Sequence, residues 1–211
     1  MMVGNKNQIL RIGIFGGSFN PPHIGHVRAA KKFCMTAAPD YLMVIPSFVP
    51  PHKELDEVGA DKRFEMAKLA FGGIYPNMEI SDCEIKRGGK SYTFYTVKDL
   101  LEKNPGCEIA LFVGSDMLLS FDTWHRAEEL FGMCRLYVMP RHDDRAILKK
   151  KAEEYIERYK ADIMFIDGDF YEISSTELRR AVMENDRAFL EKNLSKAVLD
   201  YINTHNLYGK E

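Results

Sequence analysis

Short apolar runs alternate along the chain with longer stretches in which apolar residues recur every three or four positions. The short runs contain few polar residues, as strands do when helices cover both faces of a parallel sheet. Strands are therefore predicted at residues 9–15, 41–45, 109–113, 136–139 and 163–166, with a further extended segment at 78–85.

The longer stretches have the spacing of helices that bury one face. They predict helices over residues 27–34, 64–70, 93–101, 146–159 and 178–184. Alternation of the two element types favours a doubly wound α/β fold, in which a mainly parallel sheet carries helices on both faces. Ligands bind to such sheets beyond the carboxyl ends of the strands, where the strand order reverses.

Prolines interrupt this pattern after the second predicted strand. Pro46, Pro50 and Pro51 fit neither a helix interior nor a central strand. Residues 47–59 are therefore predicted to form a loop, and its prolines and charged residues suggest the hypothesis that it closes over a ligand.

The composition is that of an ordinary globular protein. Of 211 residues, 45% are hydrophobic and 28% are charged, and the formal net charge is −2. That charge provides no basic surface for a nucleic acid, and no apolar run approaches the roughly 20 residues that span a membrane. The four cysteines are scattered singly, which favours neither a disulfide framework nor a zinc site.

These features lead us to expect a cytoplasmic protein with neither nucleic acid nor membrane as a partner. One domain is expected over residues 1–211, with a helical C-terminal part from about residue 174. The oligomeric state is left open by the sequence, and a homo-oligomer is compatible with it.

The first predicted strand runs into a glycine pair and then two histidines. Gly16 and Gly17 end the strand, and His23 and His26 stand three residues apart where the first helix begins. Glycines let the backbone approach a phosphate, and a helix N-terminus offers free N–H groups and a positive dipole end. A glycine pair alone is equally compatible with a tight turn that binds nothing, but packing gives little reason for two such histidines. The set predicts a polyphosphate site.

A second hydroxyl-rich segment precedes the predicted helix near the C-terminus. Ser174 and Glu177 have the spacing of a capping box, which by itself indicates only that a helix begins. Ser175 and Thr176 add hydroxyls, and Arg179 follows one turn into the helix, where a guanidinium suits a phosphate. Capping and anion binding are compatible, so two helix N-termini are predicted to hold one polyphosphate.

The run His-Ile-Gly-His at residues 23–26 resembles the signature of the HxGH nucleotidyltransferase superfamily, and residues 173–179 resemble its ISSTxxR motif. The resemblance implies adenylate chemistry with ATP and Mg²⁺. It implies that His23, His26 and Arg179 are catalytic and stabilise charge at the α-phosphate. The residues that it implies for ATP binding are Gly16, Gly17, Ser18, Phe19, His23, His26, Gly114, Asp116, Ser174, Ser175, Thr176 and Arg179.

Other segments resemble the bacterial nicotinate-nucleotide branch of that superfamily, and the likeness covers essentially the whole chain. They lie at residues 45–53, 91–93, 114–124 and 201–208. This resemblance implies that Trp124 stacks on a nicotinate ring and that Thr93 helps to recognise its carboxylate end. It also implies that His52 and Lys53 reach the phosphate of the acceptor.

Two positions of the implied acceptor site have a competing interpretation. A lone tryptophan is more often part of a core, although Trp124 lies between the polar residues Thr123 and His125. His125, which we also assign to acceptor binding, departs from the family pattern, because many relatives carry tyrosine there. The preference for the acid or the amide form of the acceptor is therefore in question.

The reaction implied is transfer of adenylate from ATP to nicotinate mononucleotide, giving nicotinate adenine dinucleotide and pyrophosphate in NAD biosynthesis. Both expected partners are small molecules. Two alternatives stay open: another small HxGH transferase, such as a phosphopantetheine adenylyltransferase, and a non-catalytic nucleotide-binding regulator. The presence of His23, His26 and Arg179 argues against the regulator.

Overall fold

Strands and helices alternate along the chain as the apolar pattern predicts. The computed structural model describes residues 9–51, 58–140, 145–168 and 171–209. The strands are β1 Arg11–Gly17, β2 Tyr41–Pro46, β3 Met78–Ile80, β4 Glu108–Gly114, β5 Arg135–Met139 and β6 Asp162–Phe165. The helices are α1 Ile24–Ala37, α2 Ala60–Phe71, α3 Cys83–Arg87, α4 Thr93–Lys103, α5 Ser115–Leu119, α6 Ala127–Met133, α7 Arg145–Tyr159, α8 Ser175–Glu184, α9 Arg187–Asn193 and α10 Lys196–Thr204.

The six strands form one sheet in the order β3-β2-β1-β4-β5-β6. β1 pairs with β4, β4 with β5 and β5 with β6, each in parallel; the first register sets Ile12 opposite Ile109 and Ile14 opposite Leu111. The order reverses between β1 and β4, as in doubly wound sheets. The predicted doubly wound α/β fold is confirmed.

Contacts group the chain into two compact units. The first unit comprises Met1–Phe15, Lys32–Met43 and Tyr92–Phe170, and the second comprises Gly16–Lys31, Val44–Ser91 and Tyr171–Glu211. The interpretation of the whole chain as a single domain stays a prediction.

The core of the first unit contains the apolar faces of β1, β4 and β5. Phe33 of α1 is fully buried, and its ring centroid lies 5.8 Å from that of Phe112 and 5.6 Å from that of Tyr137. Gly13 permits this packing, since a Cβ there would lie 3.0 Å from Pro39 and 3.2 Å from Phe33. The glycine inside β1 therefore allows the end of α1 to approach the strand closely.

A separate core in the second unit joins α2 to the three C-terminal helices. Met66 of α2 packs with Leu178 of α8, Leu190 of α9, and Val198 and Ile202 of α10, all buried. Ser174, Asp186 and Ser195 cap α8, α9 and α10 with side-chain oxygens, each accepting a backbone N–H from the first turn.

The segment at residues 78–85 differs from its prediction. Strand β3 ends at Ile80, and α3 begins at Cys83. Gly88 takes a left-handed φ of 69° and donates its N–H to the carbonyls of Glu84 and Ile85, which ends the helix. The prediction of an extended segment is therefore wrong at residues 83–85, where a helix of only five residues is too short to show a helical period in the sequence. Within the described part of the chain, no helix is both long and apolar enough to cross a membrane.

Candidate functional site

His23 and His26 form a reciprocal cap at the start of α1. The backbone N–H of His26 donates to Nδ1 of His23 at 3.3 Å, and that of His23 donates to Nδ1 of His26 at 3.2 Å. The same pattern in a capping box joins the N-cap residue to the third helical residue. Here two imidazoles replace the usual hydroxyl and carboxylate, and their rings stack with centroids 3.6 Å apart.

This arrangement fixes which ring nitrogen carries the proton. A nitrogen that accepts a backbone N–H is unprotonated, so each neutral imidazole must hold its proton on Nε2. Both rings therefore keep one N–H donor that the cap does not use. Two imidazole donors on stacked rings at one helix N-terminus suit an anion with several oxygens.

The environment of the pair favours neutral imidazoles. Burial lowers the pKa of His23 to about 4, while the negative charge of Glu177 opposes that shift. Desolvation also lowers the pKa of His26, and a positive charge on His23 would lower it further. Both rings are therefore uncharged near neutral pH in the absence of an anion, so they act as hydrogen-bond donors rather than as fixed cations.

Close packing explains why glycine occurs at position 25, between the histidines, and at position 17, at the end of β1. A Cβ at Gly25 would lie 2.8 Å from Cγ2 of Ile173 and 3.1 Å from the carbonyl oxygen of Tyr171. A Cβ at Gly17 would lie 2.8 Å from the ring of Phe19. Phe19 is buried at a φ of 49°, and its ring meets His26 edge to face at 5.3 Å. Gly25 thus lets the segment before α8 pack against the start of α1, and Gly17 leaves room for the ring of Phe19 within the loop.

The second motif holds this loop from the other side. Ser174 and Glu177 form a capping box at the start of α8, so the predicted helix start is confirmed. Ser175 donates its hydroxyl to the carbonyl of Pro21 at 2.9 Å, and Arg179 donates Nη1–H to the carbonyl of Asn20 at 2.8 Å.

The hydroxyl of Thr176 accepts a second bond from Arg179, at 3.0 Å. Ser175 and Arg179 are half-buried, whereas Ser174 and Thr176 are exposed. The N-termini of α1 and α8 are therefore linked through backbone carbonyls of residues 20 and 21.

Two residues that hold the same loop were not found by sequence analysis. Tyr208, near the C-terminus, donates its hydroxyl to Oδ1 of Asn20 at 2.5 Å. Arg63 of α2 is 1% exposed and donates to the carbonyls of Ser18, Phe48 and Val58. One signal could have revealed Arg63: it shares the buried face of α2 with apolar residues at helical spacing, Met66, Ala67 and Phe71.

The residues predicted to bind the acceptor belong to the first unit where they are described. Trp124 follows the 3₁₀ helix Phe121–Thr123, and its ring stacks on Phe121 with centroids 4.6 Å apart. Trp124 is half-buried. Thr93, also half-buried, is the first residue of α4.

His125 lies among aromatic side chains of α4 and of Tyr92, the residue directly before that helix. Its Nε2 is 3.1 Å from the hydroxyl of Tyr95, and its ring centroid is 4.5 Å from that of Tyr92 and 6.0 Å from that of Phe94. The imidazole therefore has a hydroxyl partner and three aromatic neighbours in the first unit.

The remaining predicted residues have separate positions. Gly114 ends β4 in the first unit, and the exposed Asp116 lies in the first turn of α5. His52 and Lys53 lie outside the described residues. In residues 9–51, 58–140, 145–168 and 171–209, no group of three or more His, Cys, Asp and Glu side chains is arranged to hold a metal.

Comparisons with known proteins agree with this geometry. Residues 14–181 match the cytidylyltransferase-like family. A probable nicotinate-nucleotide adenylyltransferase of Caldicellulosiruptor saccharolyticus is 36% identical over 83% of this chain and 88% of its own. A protein of the same name from Oceanobacillus iheyensis is 33% identical over 94% of this chain and 96% of its own.

Solved structures show the same fold. One is described as Plasmodium falciparum nicotinic acid mononucleotide adenylyltransferase complexed with NaAD. It superposes with a TM-score of 0.77 at 23% identity, and the match covers 94% of this chain and 97% of that chain.

The lowered pKa of His23 predicts a loss of stability in acid. Between about pH 6.5 and 4 the unfolded chain binds a proton at this imidazole and the folded chain does not, so stability is complete above 6.5 and falls towards 4. The protonation of His23 alone accounts for a loss of about 3 kcal/mol in the free energy of unfolding. We expect His23→Asn, which keeps a residue suited to helix capping, to lose less stability than the wild type by about that amount. Denaturant unfolding from pH 7 to 4 measures the difference. Parallel curves for the two proteins would contradict the assignment.

Proposed function

Since the chain belongs to the nicotinate-nucleotide adenylyltransferase family, we propose that it transfers the adenylyl group of ATP to nicotinate mononucleotide, releasing pyrophosphate and forming nicotinate adenine dinucleotide. The observation that carries this proposal is the reciprocal cap of His23 and His26, linked to α8 through the loop carbonyls that bind Ser175 and Arg179. The cap provides hydrogen-bond donors for an anion and no nucleophile. Transfer between two phosphate compounds needs no nucleophile from the protein, because the acceptor phosphate itself attacks.

The chemical step is an in-line displacement at the α-phosphorus of ATP. A phosphate oxygen of the acceptor forms a bond to that phosphorus while the bond to the bridging oxygen of pyrophosphate breaks. The acceptor phosphate is already ionised near neutral pH, so the step needs no general base. Catalysis then consists of holding the two reactants in line and stabilising the charge that develops on the phosphoryl oxygens.

We assign the donors for that charge from their chemistry. The free Nε2–H groups of His23 and His26 serve the α-phosphate and its leaving oxygen, with Gly16, Gly17, Ser18 and Phe19 shaping the loop around them. Donors fixed by the fold need little rearrangement as charge develops, which favours the transition state over the ground state.

Arg179 has two roles in this proposal. Nη1 is bonded to the carbonyl of Asn20. A guanidinium has five N–H donors, so Arg179 can brace the loop and still bind phosphate, together with hydroxyls of Ser174, Ser175 and Thr176. Gly114 and Asp116 are proposed to contact the adenosine part of ATP.

The residues proposed to recognise the ring of the acceptor belong to the first unit. The ring of the half-buried Trp124 is proposed to stack on the pyridine ring of the acceptor, and Thr93 and His125 to provide polar groups for the substituent of that ring. His52 and Lys53 are proposed to reach the acceptor phosphate. We further propose that Mg²⁺ arrives with ATP and is held by the substrate phosphates, as this ion commonly is.

An acceptor panel tests the proposed reaction. Pyrophosphate release is measured with ATP and Mg²⁺ and, separately, nicotinate mononucleotide, nicotinamide mononucleotide or phosphopantetheine. We expect a strong preference for nicotinate mononucleotide. Preference for the amide would contradict the assigned acceptor and point to His125, and preference for phosphopantetheine would favour another transferase. No release with any of them would favour a regulator.

Replacement of a histidine tests the assigned mechanism. Removing one preorganised donor to developing charge commonly lowers turnover on the order of 10²- to 10³-fold. We therefore expect His26→Ala to lower kcat by that order while the protein stays folded, as judged by thermal unfolding. The exposed His205, whose ring stacks on Tyr201 at the end of α10, provides the control. His205→Ala should keep wild-type turnover, and a near-normal kcat for His26→Ala would disprove the role.

A further inference from the structure

Arg63 is a buried cation with an unusual set of partners. Arg63 lies in the first turn of α2, and its side chain is only 1% exposed. Burying a guanidinium is costly unless its N–H groups are bonded, so such a residue needs a specific reason to be retained. The bonds it makes indicate that reason.

Three separate pieces of backbone meet at this guanidinium. Nη1 donates to the carbonyl of Ser18 at 2.7 Å, Nη2 to that of Phe48 at 2.7 Å and Nε to that of Val58 at 3.3 Å. Ser18 belongs to the loop before the histidine pair, Phe48 follows β2, and Val58 precedes α2. Arginine carries donors on three nitrogens in one rigid plane and can reach three separated acceptors, whereas the three donors of lysine all radiate from a single nitrogen.

The loop that Arg63 holds is already fixed at its other end. Residues 20 and 21 accept bonds from Arg179 and Ser175, and Gly17 accepts a backbone N–H from Ser47 at 3.0 Å. Arg63 supplies the bond at Ser18, between these anchors. Without it, the backbone from Gly17 to Asn20 would lose its central support.

We propose that Arg63 is a positioning residue for nucleotide transfer: it sets the backbone of the phosphate loop at Ser18 without touching the substrate. Its burial separates it from bound reactants, so it acts through the loop. Displacement of reacting groups by about 1 Å can cost on the order of 10²-fold in rate. The proposal rests on the proposed adenylyl transfer for its kinetic consequence, but not for its effect on the loop.

The experiment compares Arg63→Lys, Arg63→Ala and a control, Arg187→Ala, which removes an exposed arginine paired with Glu191 on α9. Activities are normalised to the folded fraction. We expect Arg63→Lys to lower kcat about 10- to 100-fold, with a smaller change in KM for the acceptor, and Arg187→Ala to match the wild type. Guanidinium ion at a non-denaturing concentration should restore part of the activity of Arg63→Ala, because it can occupy the vacated site.

Amide hydrogen exchange without substrate separates this proposal from the proposed function. In Arg63→Lys, peptides covering residues 16–22 should exchange faster than in the wild type, while those covering α9 and α10 should not. This result would support the positioning role even if the wild type released no pyrophosphate, an outcome that counts only against the proposed reaction. Wild-type exchange of residues 16–22 in both Arg63 variants would overturn the proposal. So would loss of activity that follows only the loss of folded protein and does not respond to guanidinium.

Discussion

The two hydrogen bonds that cross between His23 and His26 determine what this site can do. Each backbone N–H at the start of α1 is satisfied by the Nδ1 atom of the other histidine, so the helix is capped and the tautomer of both rings is set by one arrangement. Burial keeps the rings uncharged. The helix N-terminus is thereby capped by two neutral side chains that each keep a hydrogen-bond donor. The carboxylate of an ordinary capping box would instead repel a phosphate.

Much of the surrounding structure keeps the loop before this cap in place. Arg63, Arg179, Ser175 and Tyr208 reach it from α2, α8 and the C-terminal segment, and three of the four bind main-chain carbonyls. These side chains bind carbonyls and so fix the path of the backbone without themselves using its N–H groups, which are the groups that bind anions at such a loop. The C-terminal helices therefore contribute to the site as well as to the core around Met66.

The sequence predicted the parts of the structure that depend on local patterns. Continuous apolar runs identified the parallel strands, and the Ser174 and Glu177 spacing identified the cap of α8. It was less informative where distant segments decide the outcome. The three acceptors of Arg63 come from positions 5 to 45 residues away, and the imidazole tautomers depend on backbone geometry that spacing alone does not give. The prediction of an extended segment was wrong at residues 83–85, because the helix formed there has only five residues and is too short to show a helical period.

Nitrogen NMR of the histidine rings can decide whether the reciprocal cap exists, because it distinguishes the two neutral tautomers and the charged form. In protein labelled with ¹⁵N and measured at pH 7 without ligand, we expect His23 and His26 both to be neutral, with the proton on Nε2 and an unprotonated Nδ1. A charged imidazolium at either residue, or a proton on Nδ1, would contradict the reciprocal cap and the donor roles that follow from it.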